Sequence, residues 1–157
     1  MRFPIGFGLL LFALVSFLPA KSGSQVPASI TVDGHAQDLT HGRYFVYFFD
    51  PSCDTSYDVA KNLATLKWKK DVQIIGVVTR APEQAAAWMG AGETGTGLQK
   101  PVSTDFEKLS KVYKFDFPPY AVMIENGKTS RILTIDDFDQ IKPEHHVKIL
   151  RKIGAVE

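Results

Sequence analysis

The residue with the sharpest chemistry is Cys53, the single cysteine among 157 residues, set in Asp50-Pro51-Ser52-Cys53-Asp54-Thr55-Ser56. Without a second cysteine it forms no internal disulfide, which leaves three roles: an inert buried thiol, one half of an intermolecular disulfide, or a reactive free thiol. Asp50-Pro51 ends the apolar run Tyr44 to Phe49, because proline has no amide hydrogen for a strand ladder. A helical pattern starts directly after, with Ser52 as the expected cap. Cys53 therefore falls at the first turn of a helix, beside unsatisfied backbone amides and the positive end of the helix dipole. The thiolate is the attacking form of a thiol, and such a helix start favours it, whereas the carboxylates of Asp50 and Asp54 oppose it. A loop-to-helix junction sets the reactive role above the inert one.

The remaining candidates offer less. His145 and His146 are adjacent and point in different directions rather than forming an i, i+4 metal pair, so both read as surface residues. Copper held by Cys53 with one of His35, His41, His145 or His146 would lack a second thiol, and no metal or organic cofactor is expected. Gly95-Thr96-Gly97 lacks the lysine and following helix of a phosphate-binding loop and reads as structural. Trp68 and Trp88 read as packing residues, and Lys67, Lys69 and Lys70 as cations complementing the end of their helix.

The elements that must position Cys53 follow from hydrophobic periodicity. Arg2, the apolar run Phe3 to Leu18 and Pro19-Ala20 have the pattern of a secretory signal peptide over residues 1–20, or of an uncleaved anchor. No cysteine stands at that exit for lipid attachment. Residues 21–28 read as a linker and 29–157 as one domain. With Arg2 set aside, seventeen basic residues face seventeen acidic ones, a balance that argues against nucleic-acid binding. A membrane enters only if the leader stays attached. Ser29 to Val32 alternates as an edge strand, and Asp33-Gly34 turns it into a hairpin through Leu39. Tyr44 to Phe49 and Val72 to Val78 are continuous apolar runs, as in strands covered on both faces. Val59, Leu63 and Leu66 line a helix between them that runs to about Lys70. A second helix opens at Ala81-Pro82, and a third carries Phe106, Leu109, Val112 and Tyr113 behind an Asp105 cap. Tyr120 to Ile124 and Ser130 to Ile135 form a hairpin about Asn126-Gly127. Pro143 begins a last helix that turns Val147, Leu150 and Ile153 inward and ends at Gly154.

Together, Phe48-Phe49-Asp50-Pro51-Ser52-Cys53-Asp54-Thr55-Ser56, its helix, and Phe117-Pro118-Pro119-Tyr120-Ala121-Val122-Met123-Ile124 resemble the thioredoxin superfamily. The similarity is greatest to its exported bacterial (TlpA-like) branch, of the cytochrome-maturation and methylamine-utilisation kind, and it spans about Ser29 to Ile153. The resemblance implies a three-layer α/β thioredoxin-like fold, a central mixed β-sheet flanked by helices on both faces, in the periplasm or outside the cell. It also implies a Cys-x-x-Cys pair whose first member is Cys53 and whose second position holds Ser56, so the resolving thiol is missing. Ser56, three residues on, is expected to donate a hydrogen bond to the Cys53 thiolate. Pro119 stands at the family's cis-proline, preceded by Pro118, and the backbone there, with Tyr120, is where the family holds an extended substrate segment. The implied function is single-thiol thiol–disulfide exchange through a mixed disulfide at Cys53, with a thiol- or disulfide-bearing protein or a small thiol as partner.

Two alternatives belong to other classes. One is a redox-inactive binding module of the same fold that uses the Pro119 groove without covalent chemistry. The other is a peroxidase of the peroxiredoxin type, which fits poorly. That family has a threonine or serine three residues before its cysteine and a proline seven before, where this chain has Asp50 and Val46. Arg131, the residue available for its arginine, reads better as an exposed hairpin charge.

Overall fold

A computed structural model describes residues 23–93, 95–115, 117–138 and 142–157. The expected leader, residues 1–20, and the first two linker residues lie outside the described residues. Seven strands form one mixed sheet: β1 Ser29–Val32, β2 His35–Asp38, β3 Arg43–Phe49, β4 Val72–Val78, β5 Val102–Ser103, β6 Tyr120–Glu125 and β7 Lys128–Leu133, in the order β2-β1-β5-β4-β3-β6-β7. β4 is parallel to β3 and β5, whereas β6 is antiparallel to β3. The helices are α1 Asp54–Ala64, α2 Ala85–Met89 behind a 3-10 turn at Pro82–Gln84, α3 Phe106–Ser110, α4 Ile135–Phe138 and α5 Pro143–Lys152.

β3 shows why its sequence is apolar without alternation, since successive side chains point to opposite faces and both faces are covered. Phe45, Tyr47 and Phe49 join Val59, Leu63 and Leu150 of α1 and α5 in one core. Val46 and Phe48 join Leu109 and Tyr113, at and beyond the end of α3, in the other. This is the expected three-layer α/β arrangement, helices on both faces of a mixed sheet. Two tyrosines carry their hydroxyls into it: Tyr47 donates to the Ser56 carbonyl at 2.8 Å, and Tyr113 pairs with the Thr129 hydroxyl at 2.6 Å.

Several local expectations are corrected. α1 stops at Ala64 rather than near Lys70, because Trp68 folds back, lies tilted against Phe45 and donates its indole N–H to the Leu63 carbonyl at 3.0 Å. Lys67, Lys69 and Lys70 therefore lie beyond that helix, and Lys67 pairs with Glu157. His146 is buried rather than on the surface, edge-on to Phe138 with Nε2 3.4 Å from its carbonyl. Residues 23–28 do not behave as a linker. Gln25 bridges to Lys128, the Val26 amide donates to the Gly127 carbonyl, and Val26 is buried. β7 begins at Lys128 because Asn126 and Gly127, at φ +48° and +77°, make the tightest hairpin turn. α4 replaces the end of the expected strand. The Thr134 amide donates to the Asp137 carboxylate at 2.9 Å, one half of a Thr-x-x-Asp capping box legible in the sequence.

The buried tyrosines make a pH prediction. Burial, then the charge of Cys53, holds the Tyr47 hydroxyl well above its ordinary 10.0, and burial pushes that of Tyr113 up to about 12. An unfolded chain loses these protons near pH 10 and the folded chain does not, so in that interval the native state binds more protons and stability falls as pH rises. Urea midpoints should hold steady up to about pH 9 and drop between about pH 10 and 12, with Tyr113→Phe reducing the slope. An identical slope in that variant would remove Tyr113 as a source.

Candidate active site at Cys53

The site begins where β3 ends. The Thr79 amide, just past β4, donates to the Phe49 carbonyl at 2.9 Å, so the two parallel strands finish together. Beyond Phe49 the chain turns through Asp50 and Pro51, and the Cys53 amide donates to the Asp50 carbonyl at 3.0 Å. The Asp50 side chain is buried, and its Oδ1 accepts both the Ser52 amide at 2.9 Å and the Ser52 hydroxyl at 2.7 Å. Its Oδ2 lies 3.8 Å from Nε of Arg80. An aspartate bonding the backbone two residues on is a standard way to hold a turn. That bond also corrects the capping assignment. Cys53, with extended backbone, is the N-cap of α1 and makes no side-chain cap bond, while the Ser52 hydroxyl is committed to Asp50.

Cys53 is half-buried, and its Sγ lies 3.9 Å from the Pro118 carbonyl, to which the thiol donates. The Pro118–Pro119 peptide bond is cis. Pro119 is buried and Pro118 half-buried. Tyr120 opens β6 opposite Phe48 of β3, which fixes the segment to the same corner. The Tyr120 ring stacks on Phe115 at 4.2 Å, and its hydroxyl accepts the Phe117 amide at 3.2 Å. Tyr120 thus holds Phe115 and Phe117 from beneath.

Ser56 lies where the helix face requires, fully buried below Cys53, but the expected hydrogen bond to the sulfur is not formed. Its hydroxyl instead accepts the Asp50 amide at 3.4 Å, and its carbonyl accepts Tyr47. The reason is steric: a side chain sealed under the corner meets the first orphan donor there, and that donor is Asp50. The structure thus brings together Cys53, Ser56, Pro118, Pro119 and Tyr120, and adds Asp50, Tyr47, Arg80 and Phe117. Asp-x-Ser was a readable turn signal for the first of these. Arg80 and Phe117 carried none.

Among the described residues no three His, Cys, Asp or Glu side chains converge on a metal position. Arg131 is exposed on β7 in register with Met123, and the arginine bordering this site is Arg80. Around Gly90 to Gly97 the chain bonds to its own neighbours: the Gly97 amide donates to the Gly90 carbonyl, the Thr96 amide to the Trp88 carbonyl, and the Tyr57 hydroxyl to the Gly95 carbonyl. A hollow of about 430 Å³ bounded by Thr31, Asp33, Met89, Gln99 and Lys100 lies between β1 and α2 and includes none of the residues around Cys53.

No family model matches the chain, and no curated protein matches it. Solved structures do. A putative protein disulfide isomerase from Bacteroides thetaiotaomicron superposes with a TM-score of 0.63 at 18% identity, covering 85% of this chain and 88% of the other. A putative thiol:disulfide interchange protein DsbE from Chlorobium tepidum gives 0.59 at 14% identity, covering 86% and 99%. A secreted disulfide oxidoreductase of Mycobacterium tuberculosis homologous to E. coli DsbE gives 0.53 at 19% identity, covering 68% and 81%. At these identities the likeness is one of fold, and this chain has the thioredoxin-like fold.

The Asp50 corner supplies a stability prediction. Asp50→Ala strands the Ser52 amide and hydroxyl in a partly buried turn, which should cost about 1–3 kcal/mol in urea unfolding. Ser52→Ala, which removes one of those bonds, should cost about 0.5–1.5 kcal/mol. Equal losses would mean that the carboxylate does not hold the turn.

Proposed function

We propose that this chain is an exported thioredoxin-fold protein whose Cys53 performs single-thiol thiol–disulfide exchange. In the forward step the Cys53 thiolate attacks one sulfur of a partner's disulfide, an S–S bond forms between them, and the partner's other sulfur leaves as a thiolate. Ser56 provides no thiol to break that mixed disulfide, so an external thiol attacks it, takes one sulfur into a new disulfide and returns Cys53 as thiolate. The observation that carries this reading is the half-exposed sulfur at the start of α1, 3.9 Å from the Pro118 carbonyl. An extended partner segment laid along Pro118 would place its own sulfur at that point, using backbone hydrogen bonds in the manner of an added strand.

Within this reading each residue has a distinct part. Cys53 is the catalytic residue. Pro118 and Pro119 form the surface that receives the partner, and Tyr120 holds that surface in place through the Phe117 amide. Ser56 is a positioning residue, since its hydroxyl touches the Asp50 amide and not the sulfur. The disulfide chemistry in the names of the similar structures supports exchange at Cys53, and the leader-like pattern of residues 1–20 supports a site outside the cytoplasm. The partner is a protein or small molecule bearing a thiol or a disulfide.

A second reading is favoured by the Ser56 position itself, where a buried hydroxyl stands in for the resolving thiol: a redox-inactive module that binds partners at the same surface. One experiment separates them. Incubated with a small aromatic disulfide, the native chain should gain the mass of one mixed-disulfide adduct and lose it on adding a thiol, while Cys53→Ser gains none. A native chain that forms the adduct no faster than denatured protein would favour the binding module and end the exchange proposal.

A further inference from the structure

Beside the sulfur is a feature that single-thiol exchange alone does not require. Phe117, two residues before Pro119, is 69% exposed and is the one large apolar side chain left in solvent among the described residues. It forms one wall of a cleft of about 220 Å³ whose other walls include Arg80, Phe106, Phe115, Pro118 and Tyr120. Pro118 belongs both to this cleft and to the contact with Cys53 Sγ, so the two sites adjoin. A cavity of about 150 Å³ lined by apolar side chains accommodates benzene, so this cleft has room for one aromatic side chain.

The rim is charged on one side. Arg80 follows β4 at the carboxyl end of the sheet, and its side chain is 78% exposed. Its Nε faces Asp50 Oδ2 at 3.8 Å, while the other Asp50 oxygen is occupied by Ser52. A guanidinium has five donors in a fixed fork, so one distant contact leaves most of the fork turned to solvent, where it suits a carboxylate.

Resting on the exchange reading, we infer that this cleft selects the partner: an extended segment with an aromatic or large aliphatic side chain next to its cysteine and a carboxylate one residue further out. The cysteine meets Cys53 over Pro118, the apolar side chain enters between Phe106, Phe115 and Phe117, and the carboxylate pairs with Arg80. Arg80 and Phe117 are specificity residues. Neither takes part in the sulfur chemistry.

The test uses short peptides whose single cysteine is a disulfide with 2-nitro-5-thiobenzoate, symmetric about that cysteine so that binding direction does not matter. One has phenylalanine then glutamate on each side, one alanine then glutamate, one phenylalanine then lysine. Attack by Cys53 joins it to the peptide sulfur and expels the coloured aromatic thiolate, whose release gives the rate. The native chain should react about 10-fold faster with the phenylalanine–glutamate peptide than with its alanine counterpart, as expected for burying one such side chain. Lysine in place of glutamate should slow it, and the difference should shrink at high salt. Phe117→Ala should lose the aromatic preference, and Arg80→Glu should reverse the glutamate-over-lysine order. Equal rates for all three peptides with the native chain, which needs no variant to fold, would overturn the selectivity while leaving exchange intact. No release from the peptides or from the symmetrical aromatic disulfide would overturn both.

Discussion

The arrangement around Cys53 depends on one buried carboxylate. Asp50 is the point at which β3 must stop being a strand and α1 must begin, and four of its polar groups are used in that change. Its amide meets Ser56, its carbonyl meets the Cys53 amide, one oxygen holds both donors of Ser52 and the other faces Arg80. A strand ends leaving backbone groups without a ladder, and a helix starts with orphan amides, so a corner joining the two is short of acceptors. Asp50 supplies them from within the turn. Cys53 then caps α1 with its carbonyl alone, which leaves its side chain to face the Pro118 segment.

The same corner is supported from both sides of the sheet. Phe49, immediately before Asp50, stacks on Trp88 of α2 at 4.2 Å, and Tyr47 braces Ser56 through its hydroxyl. On the opposite face Phe48 packs against Phe106 and Phe115, and Phe115 in turn lies on Tyr120. The alternation of β3 therefore divides the labour. Tyr47 and Phe49 pack on the side of the helix that Cys53 caps, and Phe48 on the side of the loop that carries Pro118. Two elements distant in sequence meet because a single strand supports both.

Where the sequence was transparent, local pattern and tertiary packing asked for the same residues. Val72 to Val78 is apolar throughout because both its faces are covered, and its limits match β4 residue for residue. The hairpin at Asn126-Gly127 and the thiol at the head of a helix are legible for the same reason. Failures occurred where a distant partner decided the outcome. Trp68 ends α1 by returning to Leu63, and periodicity alone has no means of showing a side chain that folds back. His146 reads in the sequence as a surface residue because, next to His145, it forms no metal pair, yet Phe138, five residues before the start of α5, covers it. Ser52 resembled a cap until Asp50 claimed its hydroxyl. Of the site itself, Cys53, Ser56 and the two prolines were readable as a motif, whereas Arg80 and Phe117 come together only through the order of strands.

The amino-terminal segment along β7 has a geometrical consequence. Gln25 pairs with Lys128, which is opposite Glu125, and Glu125 is in register with Arg43 at the beginning of β3. Cys53 follows the finish of that same strand. The chain thus enters the sheet at one pole and presents its sulfur at the other. The full length of the central strand therefore separates the corner that holds Cys53 from the edge where Gln25 joins the sheet.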